Sequence, residues 1–299
     1  MAVVAAEEAA EVPKVMNGTA KKVEGAGVGI GFREPFRADI FLNQGRIDLL
    51  EITADHYLDA NEHKMRELEI LIDHFPLIPH SLELSLGSAE GIDEEYLEKL
   101  ATLIDRVQPQ WFSDHICFTR SGGTRIGHLA PVPYTFEALK VFARNISQVK
   151  KKIATPLILE NITYMVQFPS SEMTEAEFLT RLLEETDCGL LLDVTNLYIN
   201  SKNFGFDWRT FLDSIPMERV VQVHFVGSHK HGGRLIDAHA NRTEDEIWNV
   251  LREVSVRTNI KGAILERDEN FPEFGEIIGE IETAREIIGS AGKFEAKAA

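Results

Sequence analysis

From residue 28 onward, short continuously apolar runs alternate with longer stretches whose hydrophobic positions repeat at helical period. The runs are VGIGF (28–32), LLEIT (49–53), IPHSLELSLG (78–87), WFSDHICF (111–118), PLILENIT (156–163), GLLLDVTN (189–196), VVQVHFVG (220–227) and GAILERD (262–268). They predict eight strands. Between them the spacing predicts helices over Glu62–Phe75, Asp93–Arg106, Thr135–Lys152, Thr174–Glu185, Thr243–Thr258 and Pro272–Ile288, with a shorter one at Asp207–Leu212. Strands this uniformly apolar are buried on both faces, as in a parallel sheet. The about 20 to 40 residues from one to the next leave room for a crossover helix each time. The leading architecture is therefore a (β/α)8 TIM barrel over 25–289, with Ala/Glu/Lys-rich tails at 1–24 and 290–299 that are expected to be mobile. A doubly wound sheet is the alternative, but GVGIGF (27–32) lacks the spacing of a phosphate-binding glycine loop.

Polar residues interrupt this pattern in a regular way. His80, His115, Glu160, Asp193, His224 and Glu266 each follow the apolar part of a strand candidate. In a barrel, such positions emerge at the face where enzymes of this fold build their sites. The densest stretch is VQVHFVGSHKHGGRLIDAHA (221–240), which adds His229, His231, Asp237 and His239. The i, i+2 spacing of Asp237 and His239 lets two side chains of an extended segment point one way, toward one ion. Each residue also has a plain structural reading. His80 can be a satisfied core histidine, His115 a partner of Asp114, Glu160 with Asn161 a loop cap, Asp193 with Asn196 a helix cap, and Glu266-Arg267-Asp268 a local ion-pair network. Those explanations are independent of one another, whereas a metal cluster explains all six together. The donors outnumber what one ion can use, which points to two or three ions bridged by a carboxylate such as Glu160.

Composition narrows the setting. A formal charge of −17 and a pI near 5.0 oppose binding to nucleic acid or to an anionic membrane. The two cysteines, Cys117 and Cys188, sit in apolar runs and do not suggest a disulfide framework. With no apolar run long enough to span a membrane and an acidic N-terminus, a cytoplasmic protein is expected.

The ligand order resembles that of xylose-isomerase-like barrels with trinuclear sites, including AP-site nucleases of the endonuclease IV type. More closely, GIGFREP (29–35), PHSLELSLGS (79–88), SDHICF (113–118), LAPVPYT (129–135), LILENITY (157–164), LLLDVTNLYINSKNFG (190–205), HFVGS with IDAHA (224–240) and ILERDENFP (264–272) resemble the DUF692 family. These are multinuclear non-haem iron-dependent oxidative enzymes, of which the iron subunit of methanobactin biosynthesis is one type. The resemblance spans about residues 28–288. It implies a TIM-like barrel holding two or three irons of mixed Fe(II)/Fe(III) valence. With O2 as co-substrate, that cluster modifies a residue of a ribosomally made precursor peptide, commonly cysteine, with aspartate or another residue as alternatives. It also implies a separately encoded partner protein that recruits the peptide. Carried over, His80, His115 and Glu160 hold one iron, and Glu160 bridges to a second held by Asp193, His224 and Glu266. Asn196, Asp237 and His239 surround a third.

Two departures stand out. Asp55-His56 occupies a place where the family shows Glu-Asn, and HFVGSHKHGG is longer than the usual segment. His56, His229 and His231, with Asp114, Asn161 and Asp268, are therefore expected to lie outside the ligand set or to face substrate. Three other readings share the ligands: a zinc or manganese phosphodiesterase, a sugar isomerase or epimerase, and a non-catalytic metal-binding scaffold. A basic groove would mark the first, and metal dependence without O2 the second.

Overall fold

The computed structural model describes residues 21–298 except Glu24, with side chains to Ser290, so most of the N-terminal tail lies outside the described residues. Eight parallel strands close into a barrel: β1 (Gly27–Gly31), β2 (Leu50–Thr53), β3 (Leu77–His80), β4 (Phe112–His115), β5 (Leu157–Glu160), β6 (Gly189–Asp193), β7 (Val220–Phe225) and β8 (Gly262–Leu265). They pair in chain order and β8 returns to β1, with Ile30 opposite Leu265 and Leu50. Each of these strands falls on one of the apolar runs, with β1 and β3 starting one residue earlier, because only continuous apolar segments can be covered on both faces.

Period-two alternation sorts each strand's residues. Leu50, Ile52, Leu77, Phe112, Leu157, Leu159, Leu190, Leu192 and Leu265 belong to the large core shared with the helices. Leu49, Ile78, Trp111, Ile158, Leu191 and Ile264 form a separate cluster that fills the lower barrel interior. Two positions further along the same strands, the inward side chains are Glu51, His80, Ser113, Glu160, Asp193 and Glu266, all buried. The register that fills the bottom of the barrel with hydrocarbon thus delivers polar groups to its C-terminal mouth.

The outer helices start where the sequence predicts, and their caps show why. Asn61, Asp93, Thr135, Thr174 and Asp207 each accept a hydrogen bond from a first-turn backbone N–H, and Thr174 with Glu177 forms a complete capping box. The last helix runs Phe274–Ala298, past the point where a tail is expected to begin.

Besides two short helices, Arg37–Leu42 and Asp55–Leu58, three larger elements were not expected from the sequence. A helix at Val194–Phe204 follows β6 directly; eight of its eleven residues are buried, among them Asn196, Asn200 and Ser201, so it lacks the one-sided apolar stripe by which helices are recognised. Two antiparallel hairpins rise from the mouth, Phe118–Ser121 with Thr124–Ala130 and Gly227–His231 with Arg234–Asn241. Their turns use Gly122-Gly123 and Gly232-Gly233 at positive φ, and neither hairpin alternates cleanly enough to read as strands.

Glycine leaves a testable mark on β1. A Cβ on Gly29 would sit 1.9 Å from the Leu49 carbonyl oxygen, whereas one on Gly45 would meet nothing within 4 Å. Gly29→Ala is expected to lower unfolding stability by at least about 1–3 kcal/mol, the usual range for overpacking, with Gly45→Ala within about 0.5 kcal/mol of the parent. Urea midpoints of the two variants check this.

Candidate metal centre

Six barrel strands aim donors at the mouth, and the donors fall into three groups whose ligand atoms lie within 4.8 Å of one another: His80, His115 and Glu160; Glu160, Asp193, His224 and Glu266; and His239, Glu266 and Asp268. Two carboxylates are shared. Glu160 turns Oε2 toward His80 Nε2 (3.4 Å) and His115 Nε2 (3.3 Å), and Oε1 toward His224 Nδ1 (3.2 Å). Glu266 Oε2 lies 3.1 Å from His224 Nδ1 and 3.6 Å from His239 Nε2. The three groups therefore form a chain joined at Glu160 and Glu266.

These distances are short, but several contacts lack hydrogen-bond geometry. Glu160 Oε2, His224 Nδ1, His115 Nδ1, Asp193 Oδ2, Asn196 Oδ1 and Asp237 Oδ1 are buried without a hydrogen-bond partner. A buried polar atom without a partner costs about 1–3 kcal/mol, so six at one mouth demand a common explanation. Imidazole nitrogens and carboxylate oxygens packed lone pair to lone pair are a donor set for cations. His80 Nε2 and His115 Nε2, 3.3 Å apart, illustrate this, since neutral rings repel there unless one bears a proton or both face an ion. The residues present fit a cluster of ions with mixed nitrogen and oxygen ligands.

Electrostatics point the same way. Burial, reinforced by His115 and His224, pushes His80 well down, and burial brings His115 to about 4, so both rings are neutral and ligand-competent at neutral pH. Burial raises Glu160 to about 7 against the pull of His224. Burial also drives Asp193 well up, with Asp237 and Glu160 adding repulsion. For His224, burial is overcome by Glu51, Glu160 and Glu266, which hold it well above the usual imidazole range. Burial of Glu266 is overcome by His239 and His224, which hold it well down, and burial of His239 is overcome by Glu266 and Asp237, which hold it well up, so raised and lowered acids alternate along the chain of donors.

Second contacts hold the donors in place. His80 Nδ1 pairs with Ser113 Oγ at 2.7 Å, which leaves Nε2 for the centre. Asp114 does not touch the His115 ring; it accepts from the His115 and Leu84 backbone N–H groups and from Ser81 Oγ, fixing the chain on either side. Asn161 brackets Asp193, donating to its carbonyl and accepting from its N–H. Asp193 itself has two uses. Oδ1 accepts from Asn196 N and caps the helix Val194–Phe204, while Oδ2 faces the centre. The capping and ligand readings of this residue are compatible because a carboxylate has two oxygens.

The neighbours of Glu266 diverge. Arg267 pairs with Glu280 behind the barrel, and Asp268 meets Arg33 (2.5 Å) and His239 Nδ1 (3.1 Å). No internal Glu266-Arg267-Asp268 network forms, because successive residues point to opposite sides. Asp268 lies in the third group, inside rather than beside the expected ligand set. His239 holds φ at +48°, a costly conformation for a non-glycine residue, and its Nε2 lies 2.8 Å from Asp237 Oδ1. His56, His229 and His231 are exposed and belong to none of the three groups.

Glu51 was not legible as a site residue. Its Oε2 lies 2.9 Å from His224 Nε2 and accepts from Gln222 Nε2 at 2.6 Å. It fixes the His224 tautomer and leaves Nδ1 for the centre, the usual task of an outer carboxylate behind a metal-bound histidine. An acid in the middle of LLEIT, where a buried strand should be apolar, is the signal that could have found it.

The chain is similar to known proteins both in sequence and in fold. The sequence profile of the family described as "RiPP precursor modification enzyme MbnB/TglH/ChrH" matches residues 27–289. A UPF0276 protein of Caulobacter vibrioides is 34% identical over 260 residues, covering 87% of this chain and 93% of that one. One from Anaeromyxobacter sp. is 33% identical over 265 residues, covering 89% and 94%. Among solved structures, a xylose isomerase-like TIM barrel protein from Mycobacterium smegmatis in complex with magnesium aligns with TM-score 0.56 at 7% identity, over 89% of this chain and 97% of that one. Endonuclease IV from Thermus thermophilus aligns with TM-score 0.54 at 15% identity, over 89% and 100%. At such identities these two share the fold and no more.

Two outcomes are expected of the site. Adding Fe(II), Mn(II) or Zn(II) to chelator-treated protein should raise its melting temperature, by the linkage that stabilises any state binding a ligand. Glu51→Gln should weaken metal binding about 10–100-fold without removing a donor atom. Calorimetric titration with elemental analysis checks both, and unchanged affinity in the Gln variant would refute the positioning role.

Proposed function

The chain belongs to the family of RiPP precursor modification enzymes of the MbnB/TglH/ChrH type, and on that premise we propose that it is a multinuclear iron enzyme that uses O2 to modify a residue of a precursor peptide oxidatively. The observation that carries this reading is the pair of shared carboxylates, Glu160 and Glu266, which chain three donor groups into one site. A bridged site of imidazoles and carboxylates suits iron of more than one valence. Bound there, iron would supply the redox chemistry and O2 activation, while the protein fixes geometry and excludes water.

The donor distances support an assignment of ligands. His80, His115 and Glu160 hold one ion, and Asp193, His224 and Glu266 with Glu160 hold a second. His239, with Asp268 and Glu266, forms a third group, with Asp237 2.8 Å from His239 Nε2; Asn196, whose amide donates to the Asn161 carbonyl, is assigned to it by the family resemblance alone. That third group is the more open: His239, Asp237 and Asp268 are partly exposed, whereas the donors of the first two groups are buried. It is therefore the place where a substrate thiolate or carboxylate reaches the cluster. The residue modified is cysteine in this reading, with aspartate as the alternative. A separately encoded protein assists recognition. No helix among the described residues is long and apolar enough to cross a membrane, in keeping with a soluble substrate.

Anaerobic purification with metal analysis, followed by incubation with candidate precursor peptides bearing cysteine or aspartate, tests the reading. Iron at two or more per chain and an O2-dependent mass change of the peptide are expected. Zinc in place of iron, with activity indifferent to O2, would overturn it in favour of a hydrolase or epimerase on the same barrel. In the oxidative reading His80→Ala and His224→Ala each lower turnover by at least about 100-fold together with iron content, as loss of a metal ligand requires.

A further inference from the structure

A second concavity lies beside the metal centre and contains none of its donors. It is a cavity of about 470 Å³ between the loop after β5, the start of the helix Glu175–Thr186 and the helix Trp208–Ser214. That volume falls in the roughly 300–1,000 Å³ range of ligand pockets. Its walls include Tyr134, Tyr164, Met173, Phe206 and Phe211, and its only charged lining groups are the carboxylates Glu175 and Asp207, with no lysine or arginine.

The cavity is built rather than incidental. Tyr164 donates its hydroxyl to Glu175 Oε2 at 3.0 Å, and its ring packs on Phe204 at 4.8 Å. The far wall is stitched by Tyr134 N to Ser171 Oγ, Glu172 N to the Tyr134 carbonyl and Phe136 N to Glu172 Oε2. Burial lifts Glu175 to about 7, the state of a carboxyl that lacks a cationic partner in an apolar wall.

Two further observations say what enters. Exposed hydrophobics stand on the segments that form the cavity: Val166 lines it, Met165 precedes Val166 in the chain, and Phe136, with Arg181 stacked on its ring, follows the Tyr134 wall. Exposed apolar side chains at a pocket are a feature of interaction sites. Tyr164 also stands four residues beyond Glu160, so the cavity wall is within about 14 Å of a metal-ligand backbone, the reach of four extended residues.

We propose that this cavity recognises the precursor peptide by taking a short apolar and basic stretch of it, a few residues from the modified position. An aromatic side chain sits among Tyr134, Tyr164 and Phe211, and a neighbouring lysine or arginine faces Glu175 and Asp207. The inference rests on the peptide-modifying reading above. Aromatic walls and carboxylates without cations select a cationic and apolar occupant, as the −17 charge of the whole chain favours a basic partner at longer range.

The test is binding of a fluorophore-labelled acetyl-Gly-Trp-Leu-Lys-Gly amide to the full chain, read by anisotropy. Thr210 and Val166 line the cavity and are exposed, so changes there should not disturb folding. Saturable binding is expected, with Thr210→Trp and Val166→Lys each weakening it at least tenfold, and Glu in place of the probe's Lys at least fivefold. His80→Ala should leave it unchanged. Absence of saturable binding, equal binding by both blocked variants, a Glu probe that binds as well, or tryptophanamide alone binding as tightly would overturn the proposal. Iron content and O2 dependence are measured separately. An oxidative enzyme without probe binding defeats the pocket alone, and probe binding by a zinc protein indifferent to O2 defeats the oxidative reading alone.

Discussion

Unscreened negative charge at the top of the barrel is the constraint on which this structure turns. Glu160, Asp193, Glu266 and, one step behind them, Glu51 converge on His224, a ring with no exposure. Carboxylates removed from water repel one another strongly, and a single imidazolium cannot neutralise several of them. The backbone nevertheless holds them there through bonds that do not depend on the acids themselves. Asn161 clamps the end of β6, Asp114 fixes the chain around His115, and Thr195 bonds the Val226 carbonyl across the next strand. A scaffold that restrains like charges in this way is preorganised for cations, because the repulsion is met during folding and relieved on binding.

Much of this arrangement was legible in the sequence. The eight strands were readable because parallel barrel strands must be apolar on both faces, and the departures from that rule at His80, His115, Glu160, Asp193, His224 and Glu266 were the ligand candidates that the barrel brings together. The division of donors into groups also followed the family resemblance for the first two. Asp268 belongs with His239 and Glu266, which no reading of Glu266-Arg267-Asp268 as neighbours in sequence would separate from a local ion pair.

What escaped detection did so for physical reasons. The helix Val194–Phe204 is wedged between barrel and hairpin, with Asn203 exchanging hydrogen bonds with Leu235, so it shows no amphipathic stripe. The hairpins are short ribbons standing off the barrel, and Thr124–Ala130 is exposed through most of its length, leaving no buried face to impose alternation. Glu51 was hidden because a lone acid in an apolar strand gives no spacing pattern; only its approach to His224 from a strand 171 residues away from Gln222 gives it meaning. His229 and His231, expected outside the ligand set despite their density in the sequence, stand exposed on a hairpin that rises from the mouth.

A line of polar contacts threads the barrel axis from the hydrocarbon floor to the mouth. Trp111 donates its indole N–H to Gln222, Gln222 donates to Glu51, and Glu51 meets His224. Trp111 belongs to the lower apolar cluster, yet it sets the orientation of an amide that in turn orients an acid. Donor strength at the centre is thereby wired to packing at the opposite end of the barrel. Relatives of this chain can retune the basicity of one imidazole by repacking the floor, leaving every first-contact ligand, and whatever substrate surface surrounds them, untouched.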